Sequence, residues 1–207
     1  MIRQHLAKMF LPTLIVALAA TLSGCPGGNI VYFQDAALES AVRASIGKPL
    51  GFLTTTDVLA ITEVDASGLN IQNLDGIESL RNLTVLNLRS NGVRTITPLE
   101  NLVNLRVLDL GDNNVAQITA ISGLFLLEEL TLSGAQMDIV DWSPLSANAT
   151  NGGLGNGDIV VLPTNTTLDS DGNVLNYWED DYLTLLNLGV SVLFDEMGTT
   201  DTKTASN

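Results

Sequence analysis

The sequence has 207 residues, with 23 aspartates and glutamates against nine lysines and arginines, and its formal net charge is −14. A surface this acidic repels the phosphates of nucleic acids, so nucleic-acid binding is excluded as a function. One cysteine and one histidine also exclude a disulfide framework and a zinc site built on several His or Cys ligands.

Residues 1–24 have the features of a signal peptide that is removed. Basic residues at positions 3 and 8 precede Met9–Leu22, a nearly unbroken apolar run of 14 residues. This length suits a signal-peptide core and is too short for a comfortable transmembrane helix. Removal takes away two of the basic residues, the only histidine and no carboxylate, so the remaining net charge is −16.

Cys25 follows the apolar run directly, as the last residue of the motif LSGC. The motif resembles the lipobox of bacterial lipoproteins, in which small residues admit the peptidase and the cysteine carries the lipid. Two or three acyl chains on Cys25 would anchor the protein stably to a membrane. The alternative is an ordinary secretory signal cut near position 20, with Cys25 incidental. Residues 25–32 are predicted to form a short tether.

Residues 33–60 lie before the repeats and are predicted to form a helical N-terminal cap. Asp35 is expected to cap a first helix, whose apolar residues recur four apart. Thr54 and Asp57 have the spacing of a capping box that opens a second short helix. A cap is needed because the first repeat would otherwise expose an apolar edge to water.

Residues 61–148 repeat with a period of 22, in units that begin at Ile61, Leu83, Leu105 and Leu127. The pattern L-x-x-L-x-L-x-x-N-x-V-x-x-I is that of a leucine-rich repeat. It predicts an α/β solenoid, a short horseshoe of about four repeats. The predicted core rows at positions four, six, eleven and fourteen are Val64, Leu86, Leu108 and Leu130; Ala66, Leu88, Leu110 and Leu132; Ile71, Val93, Val115 and Met137; and Leu74, Ile96, Ile118 and Val140.

Positions three to seven of each unit are predicted to form a strand on the concave side, with residues 85–89 as the typical example. Position nine holds Asn91 and Asn113 in the two central units. An amide both donates and accepts hydrogen bonds, so these side chains are predicted to form an asparagine ladder where strand becomes turn. Leu69 and Ala135 interrupt the ladder at its two ends.

Residues 149–195 are predicted to form an α/β C-terminal cap. Residues 159–162 are expected to be an edge strand. Asn176 and Glu179 have capping-box spacing before a helix that Gly189 would close.

Three further segments complete this end of the chain. Residues 148–158 are rich in glycine and asparagine and are predicted to be a loop. Residues 190–194 alternate as a final strand. Residues 196–207 are polar and are predicted to be a flexible tail.

From residue 33 to about residue 195, the chain resembles the internalin-like leucine-rich-repeat domains of bacterial surface and secreted proteins. The resemblance rests on the cap segment 35–49, the 22-residue period, and the closing segments 141–145 and 189–194. It implies the solenoid fold with caps. Because such domains differ mainly in their exposed faces, it does not identify a ligand. About four repeats are fewer than the well-known adhesins of the family carry.

The outward-pointing residues of the predicted strands are the candidate binding site for a protein partner. They are mostly polar or acidic and include no aromatic residue, which disfavours a sugar-stacking site. A solvated sheet face that binds nothing is the alternative. The candidate residues are Glu63, Asp65, Ser67, Val85, Asn87, Arg89, Val107, Asp109, Glu129 and Thr131.

No catalytic, metal or cofactor site is predicted. The segment 169–173 (DSDGN) suggests calcium, but in that alignment Thr167 and Trp178 take the two positions that need carboxylates. A turn is therefore favoured. Asp65 and Asp109 could pair as acid and base only on an open face, where nothing desolvates either carboxylate.

The sequence thus predicts a lipid-anchored, extracytoplasmic interaction module on the outer membrane or cell surface of a bacterium. Its partner would be a protein bound through the concave face, with the membrane held through the lipid on Cys25. The alternative is a structural or envelope-scaffolding lipoprotein without a specific ligand. An enzyme is not expected.

Overall fold

A computed structural model describes residues 28–134, 136–196 and 199–204. The predicted signal peptide, the proposed lipid site Cys25 and the ladder position Ala135 lie outside the described residues. None of the helices in the described ranges has both the length and the hydrophobicity needed to cross a bilayer.

Within the described residues, six parallel strands follow one another in the sheet in chain order, and a seventh pairs antiparallel with the sixth. The strands are β1 (Glu63–Asp65), β2 (Val85–Asn87), β3 (Val107–Asp109), β4 (Glu129–Thr131), β5 (Ile159–Pro163), β6 (Ser191–Glu196) and β7 (Thr199–Thr204). The helices are α1 (Ala36–Ser45), α2 (Thr55–Val58), α3 (Ser143–Thr150) and α4 (Glu179–Asn187), with 3-10 helices at Ile77–Ser79, Thr97–Leu99, Thr119–Gly123 and Thr164–Thr166.

The interior of the molecule is built from apolar rows that run across the strands. The register aligns Val64, Leu86, Leu108 and Leu130, and all four side chains are buried. Parallel pairing in this register stacks equivalent positions of successive units. Each side chain of a row therefore packs against the equivalent side chains of the neighbouring units. The predicted leucine-rich-repeat solenoid is confirmed.

The strands of the repeats are shorter than predicted, with three residues each instead of five. In the first three, the fifth-position side chain accepts a hydrogen bond from the backbone N–H two residues later. Asp65 Oδ1 accepts from Ser67, Asn87 Oδ1 from Arg89, and Asp109 Oδ1 from Gly111. Such local bonds turn the chain and end the strand.

The last repeat does not follow the predicted core row at position fourteen. Val140 was expected in the core but is 71% exposed, while Ile139 is fully buried. The predicted loop after it is also partly wrong, because α3 extends to Thr150. Asn148 lies in this helix, and its buried amide donates to the carbonyls of Ile121 (2.8 Å) and Leu124 (3.0 Å). These bonds fix α3 against the 3-10 helix of the preceding repeat.

Three further predictions, all about the C-terminal cap, differ from the structure. The strand β5 is internal, because it pairs with β4 on one side and β6 on the other. The strand β6 is not the last, since β7 occupies residues 199–204 of the predicted tail. The expected capping box before α4 is absent. Trp178 is the N-cap residue, and it makes no side-chain cap bond to the helix.

The tertiary reason for the α4 start is an aromatic cluster. Trp178 is buried, and its indole N–H donates to the carbonyl of Thr167 at 2.9 Å. Its ring lies 5.7 Å from Trp142, 5.1 Å from Tyr182 and 6.4 Å from Phe194, measured between centroids. Anchoring of Trp178 in this cluster sets where α4 begins.

The N-terminal cap is joined to the first repeat by Asp35. One carboxylate oxygen caps α1 by accepting from Ala37 and Leu38, and the other accepts from the backbone N–H groups of Gln72 and Asn73. These four bonds tie the cap helix to the first turn of the solenoid.

The second cap helix, α2, has the capping box. Thr54 accepts from Asp57 N–H, and the Asp57 carboxylate accepts from Thr54 N–H. A hydrogen bond from Lys48, together with those from Thr54, lowers the pKa of Asp57 to about 2.

The two ladder asparagines link adjacent units at the edge of the sheet. Asn113 is fully buried; its amide donates to the carbonyls of Leu88, Leu110 and Gly111, and its oxygen accepts from Val93 N–H at 3.0 Å. Asn91 makes the same kind of contacts one unit earlier. Each side chain therefore satisfies backbone groups of two successive turns.

We expect Asn113→Ala to lower the free energy of unfolding by about 3 kcal/mol, because buried carbonyls and an N–H lose their partner. Urea unfolding followed by circular dichroism measures the loss. The control is Asn101→Ala, an exposed residue whose side-chain amide donates to the Glu100 carboxylate, with an expected loss of about 0.5 kcal/mol or less. Equal losses in the two variants would contradict the ladder role.

Candidate protein-binding face

The outward side of the parallel sheet consists of two columns of side chains. The register places one residue of each column on every strand from β1 to β6. We keep the name concave face for these twelve residues: Glu63, Val85, Val107, Glu129, Ile159 and Ser191 in the first column, and Asp65, Asn87, Asp109, Thr131, Val161 and Leu193 in the second.

Eight of the ten predicted site residues lie in these columns, and Ser67 and Arg89 lie beyond the strand ends. The repeat pattern did not reveal the four residues that β5 and β6 contribute. Ile159 is exposed, and Val161 and Leu193 are half-buried, so this end of the face is more apolar than the repeats. The missed residues fall outside the 22-residue period. Their only signals were the continuous apolar run at 159–162 and the alternation at 190–194.

The middle of the first column is apolar between two carboxylates. Val85 and Val107 are half-buried, whereas Glu63 on β1 and Glu129 on β4 are exposed. Neither glutamate takes part in an ion pair among the described residues. The arrangement offers a shallow apolar strip with negative charge on either side.

Arg89 is held by its neighbours. Its guanidinium lies 3.1 Å from Asp112 Oδ2 and 3.6 Å from Asp109 Oδ2, and 3.5 Å from the hydroxyl of Ser133. The side chain passes over Gly111, where a Cβ would lie 2.6 Å from Arg89 Nη1. The one cation predicted on this face is thus neutralised by two carboxylates.

Asp112 pairs with Arg89 of the candidate site, a contact that the repeat pattern did not reveal. It occupies position eight, where Gly68, Ser90, Asp112 and Gly134 all have positive φ angles. At Asp112 φ is 54°, a left-handed conformation that costs an L-residue free energy. Its carboxylate reaches Arg89 from this turn, so a position governed by backbone geometry also sets the charge of the face.

The segment considered for calcium forms a self-contained turn. Asp169 Oδ1 accepts hydrogen bonds from the backbone N–H groups of Asp171 and Asn173, and the Asn173 amide also donates to its carboxylate. The amide and these N–H groups lower the pKa of Asp169. In the described parts of the chain, no three His, Cys, Asp or Glu residues group in a way that could hold a metal ion.

A family model described as leucine-rich repeats in two copies matches residues 81–125. This range corresponds to the two central units, in which the consensus pattern is most regular.

Solved structures with a similar fold include two internalins of Listeria monocytogenes. For inlF the identity is 27% and the TM-score 0.62 over 82% of this chain and 45% of that one. For inlC2 the identity is 27% and the TM-score 0.61, over 81% of this chain and 68% of that one. The functional domain of InlJ, at 20% identity and a TM-score of 0.52, covers 82% of this chain and 38% of that one and shows the fold alone.

This chain spans less than half the length of inlF. The internalin-like architecture expected from the sequence is confirmed by these likenesses.

We expect Gly111→Ala to displace the Arg89 side chain, because the new methyl group would overlap Nη1. The loss of stability should be about 1 kcal/mol or less, since the ion pairs are partly exposed. Mass spectrometry after phenylglyoxal treatment should show faster modification of Arg89. Gly123→Ala, whose Cβ would meet its nearest atom only at 4.0 Å, is the control, and equal modification rates would contradict the packing described here.

Proposed function

We infer that this internalin-like leucine-rich-repeat protein is a lipid-anchored, extracytoplasmic module that binds a protein partner through its concave face. The observation that carries this proposal is the uncovered apolar strip of Val85 and Val107 between Glu63 and Glu129. Both valines keep part of their surface exposed, so the described elements leave the strip accessible. Apolar residues that remain open at the centre of a sheet face suit a binding surface.

The charge of the face indicates the chemistry of the partner. Asp65 is exposed beside Glu63, and Arg89 is already paired with Asp109 and Asp112. The face therefore presents net negative charge around its apolar strip. A partner with apolar residues at its centre and lysines or arginines at its rim would complement it, and the charges would speed association.

The size of the face means that its edges take part. Six strands spaced about 4.8 Å apart extend roughly 24 Å, and three residues of each strand extend about 10 Å. This is well below the roughly 800 Å² per partner of a standard interface. Exposed Val103, Phe125 and Leu126 in the loops before β3 and β4 extend the apolar area at one edge.

The membrane anchor is supported by the sequence around Cys25. The motif LSGC follows an apolar run of signal-peptide length, and the next residues are Pro26 and two glycines. A lipid on Cys25 would place the repeats outside the cytoplasm. Their strongly acidic, exposed surface would be accessible to other proteins there.

The charge of the face is tested by the double variant Glu63→Lys with Glu129→Lys. A photo-crosslinking amino acid at Val107, in the cells that produce the protein, should give adducts that fall by at least about tenfold in the double variant. The control is Glu100→Lys with Asp171→Lys, which changes the net charge equally at exposed positions outside the face. Equal adduct yields in both double variants would refute the face. Absence of any adduct would favour the scaffolding lipoprotein.

The anchor is tested separately with Cys25→Ser. Loss of the thiol prevents lipidation, so the protein should leave the membrane fraction when cells are lysed and fractionated. Asn29→Ser, which leaves the cysteine intact, is the control and should stay with the membranes. Continued membrane association of Cys25→Ser would show that the lipobox interpretation is wrong.

A further inference from the structure

Three large apolar side chains stand exposed together on the N-terminal cap. Tyr32, Leu50 and Phe52 expose 73%, 82% and 67% of their surface. We call them the cap patch. Monomeric proteins expose single apolar residues commonly, but clustered ones mark interaction sites.

The backbone places these side chains on one surface. Two extended segments pair antiparallel: Ile30 is opposite Thr54, and Val31 N–H donates to the carbonyl of Leu53 at 2.9 Å. Continuing this alignment by two residues would place Tyr32 opposite Phe52. Because side chains alternate along extended chains, Val31 and Leu53 enter the core while Tyr32 and Phe52 face outward.

Leu50 is held outward by a fixed loop. Arg43 of α1 donates to the carbonyl of Lys48 at 3.1 Å and to that of Gly51 at 2.8 Å, while it also pairs with Glu39. These hydrogen bonds from Arg43 hold the loop that carries Leu50 in place.

The cap differs sharply from the repeats in charge. Residues 28–60 contain three carboxylates and two cations, a net charge of −1. Glu39 pairs with Arg43, Asp57 pairs with Lys48, and Asp35 binds backbone N–H groups. From residue 61 onward there are 20 carboxylates and five cations, a net charge of −15. An anionic lipid surface would therefore repel the repeats far more strongly than the cap.

The cap is also the end nearest to Cys25. The segment beside the patch is packed from Gly28 onward, where a Cβ would lie 2.6 Å from the Thr55 hydroxyl, and Thr55 N–H donates to the carbonyl of Asn29. Two residues, Pro26 and Gly27, separate Cys25 from Gly28, and the three Cα–Cα steps between them reach about 11 Å at most. A lipid on Cys25 would thus hold the cap patch close to the bilayer.

We propose that the cap patch docks onto the surface of the bilayer in which the lipid of Cys25 is inserted. Tyrosine and phenylalanine suit the boundary between headgroups and acyl chains, and leucine adds apolar area there. The membrane then lies against the N-terminal cap, the sheet extends away from it from β1 to β6, and the C-terminal cap is distal. This inference rests on the proposed lipid anchor.

The test uses lipidated protein in vesicles of phosphatidylethanolamine, phosphatidylglycerol and a headgroup-nitroxide lipid. A fluorophore is attached to Pro49→Cys beside the patch or to Asn187→Cys at the end of α4; lipidated Cys25 has no free thiol to react. Quenching at position 49 should exceed that at position 187 by at least about twofold. Equal quenching would overturn the proposal.

Substitution of the patch supplies the matched comparison. Tyr32→Ser, Leu50→Ser and Phe52→Ser together should lower the quenching at position 49 at least about twofold, because the lipid on Cys25 then holds the cap near the bilayer without docking it. Phe125→Ser with Leu126→Ser, which removes exposed apolar residues from the repeats, should leave the difference intact. Circular dichroism checks that all variants are folded. A triple variant that retains the full quenching at position 49 would overturn the proposal.

Failure of the anchor can be told apart from failure of the patch. Mass spectrometry of the purified protein shows whether Cys25 carries a lipid. If it does not, the anchor proposal fails, and the patch is tested by adding the same vesicles, without nitroxide, to the free protein. Partitioning about tenfold stronger for the intact patch than for the triple serine variant would support docking. Equal partitioning would overturn it.

Discussion

Burial of the leucine rows requires each turn of the solenoid to repeat its neighbour in parallel register. Leu86, Leu108 and Leu130 pack into one buried row because β2, β3 and β4 align residue for residue. The same register that buries these side chains presents the alternate residues of every strand to the outside. The core and the outward face are therefore two consequences of one alignment, and the face cannot be rearranged without disturbing the core.

Short side chains that bond to the backbone decide where the strands end and what lies beyond them. Asp65, Asn87 and Asp109 each turn the chain after three strand residues, and Asn113 satisfies the carbonyls that this turn leaves open. The turn then brings Asp112 against Arg89. The electrostatic character of the face depends on this sequence of local bonds as much as on its composition.

The two ends of the molecule have different surfaces. The N-terminal cap is almost neutral and carries exposed apolar residues, whereas the repeats carry most of the negative charge. The C-terminal cap is closed by the aromatic cluster of Trp142, Trp178, Tyr182 and Phe194. A membrane at the N-terminal end and a protein partner on the concave face would use surfaces that do not compete. This division is consistent with a short solenoid that holds its face a fixed distance from a bilayer.

The sequence by itself determined the solenoid, because a 22-residue period repeats the same local pattern and nearest-neighbour stacking leaves one way to bury it. It also determined most of the concave columns, since alternation in a strand is a local property. The remaining features arise from tertiary contacts. The exposure of Val140, the internal position of β5 and the start of α4 at Trp178 depend on contacts between residues far apart in the chain. The pairing of Arg89 with Asp112 needed the turn geometry, which no periodic pattern encodes.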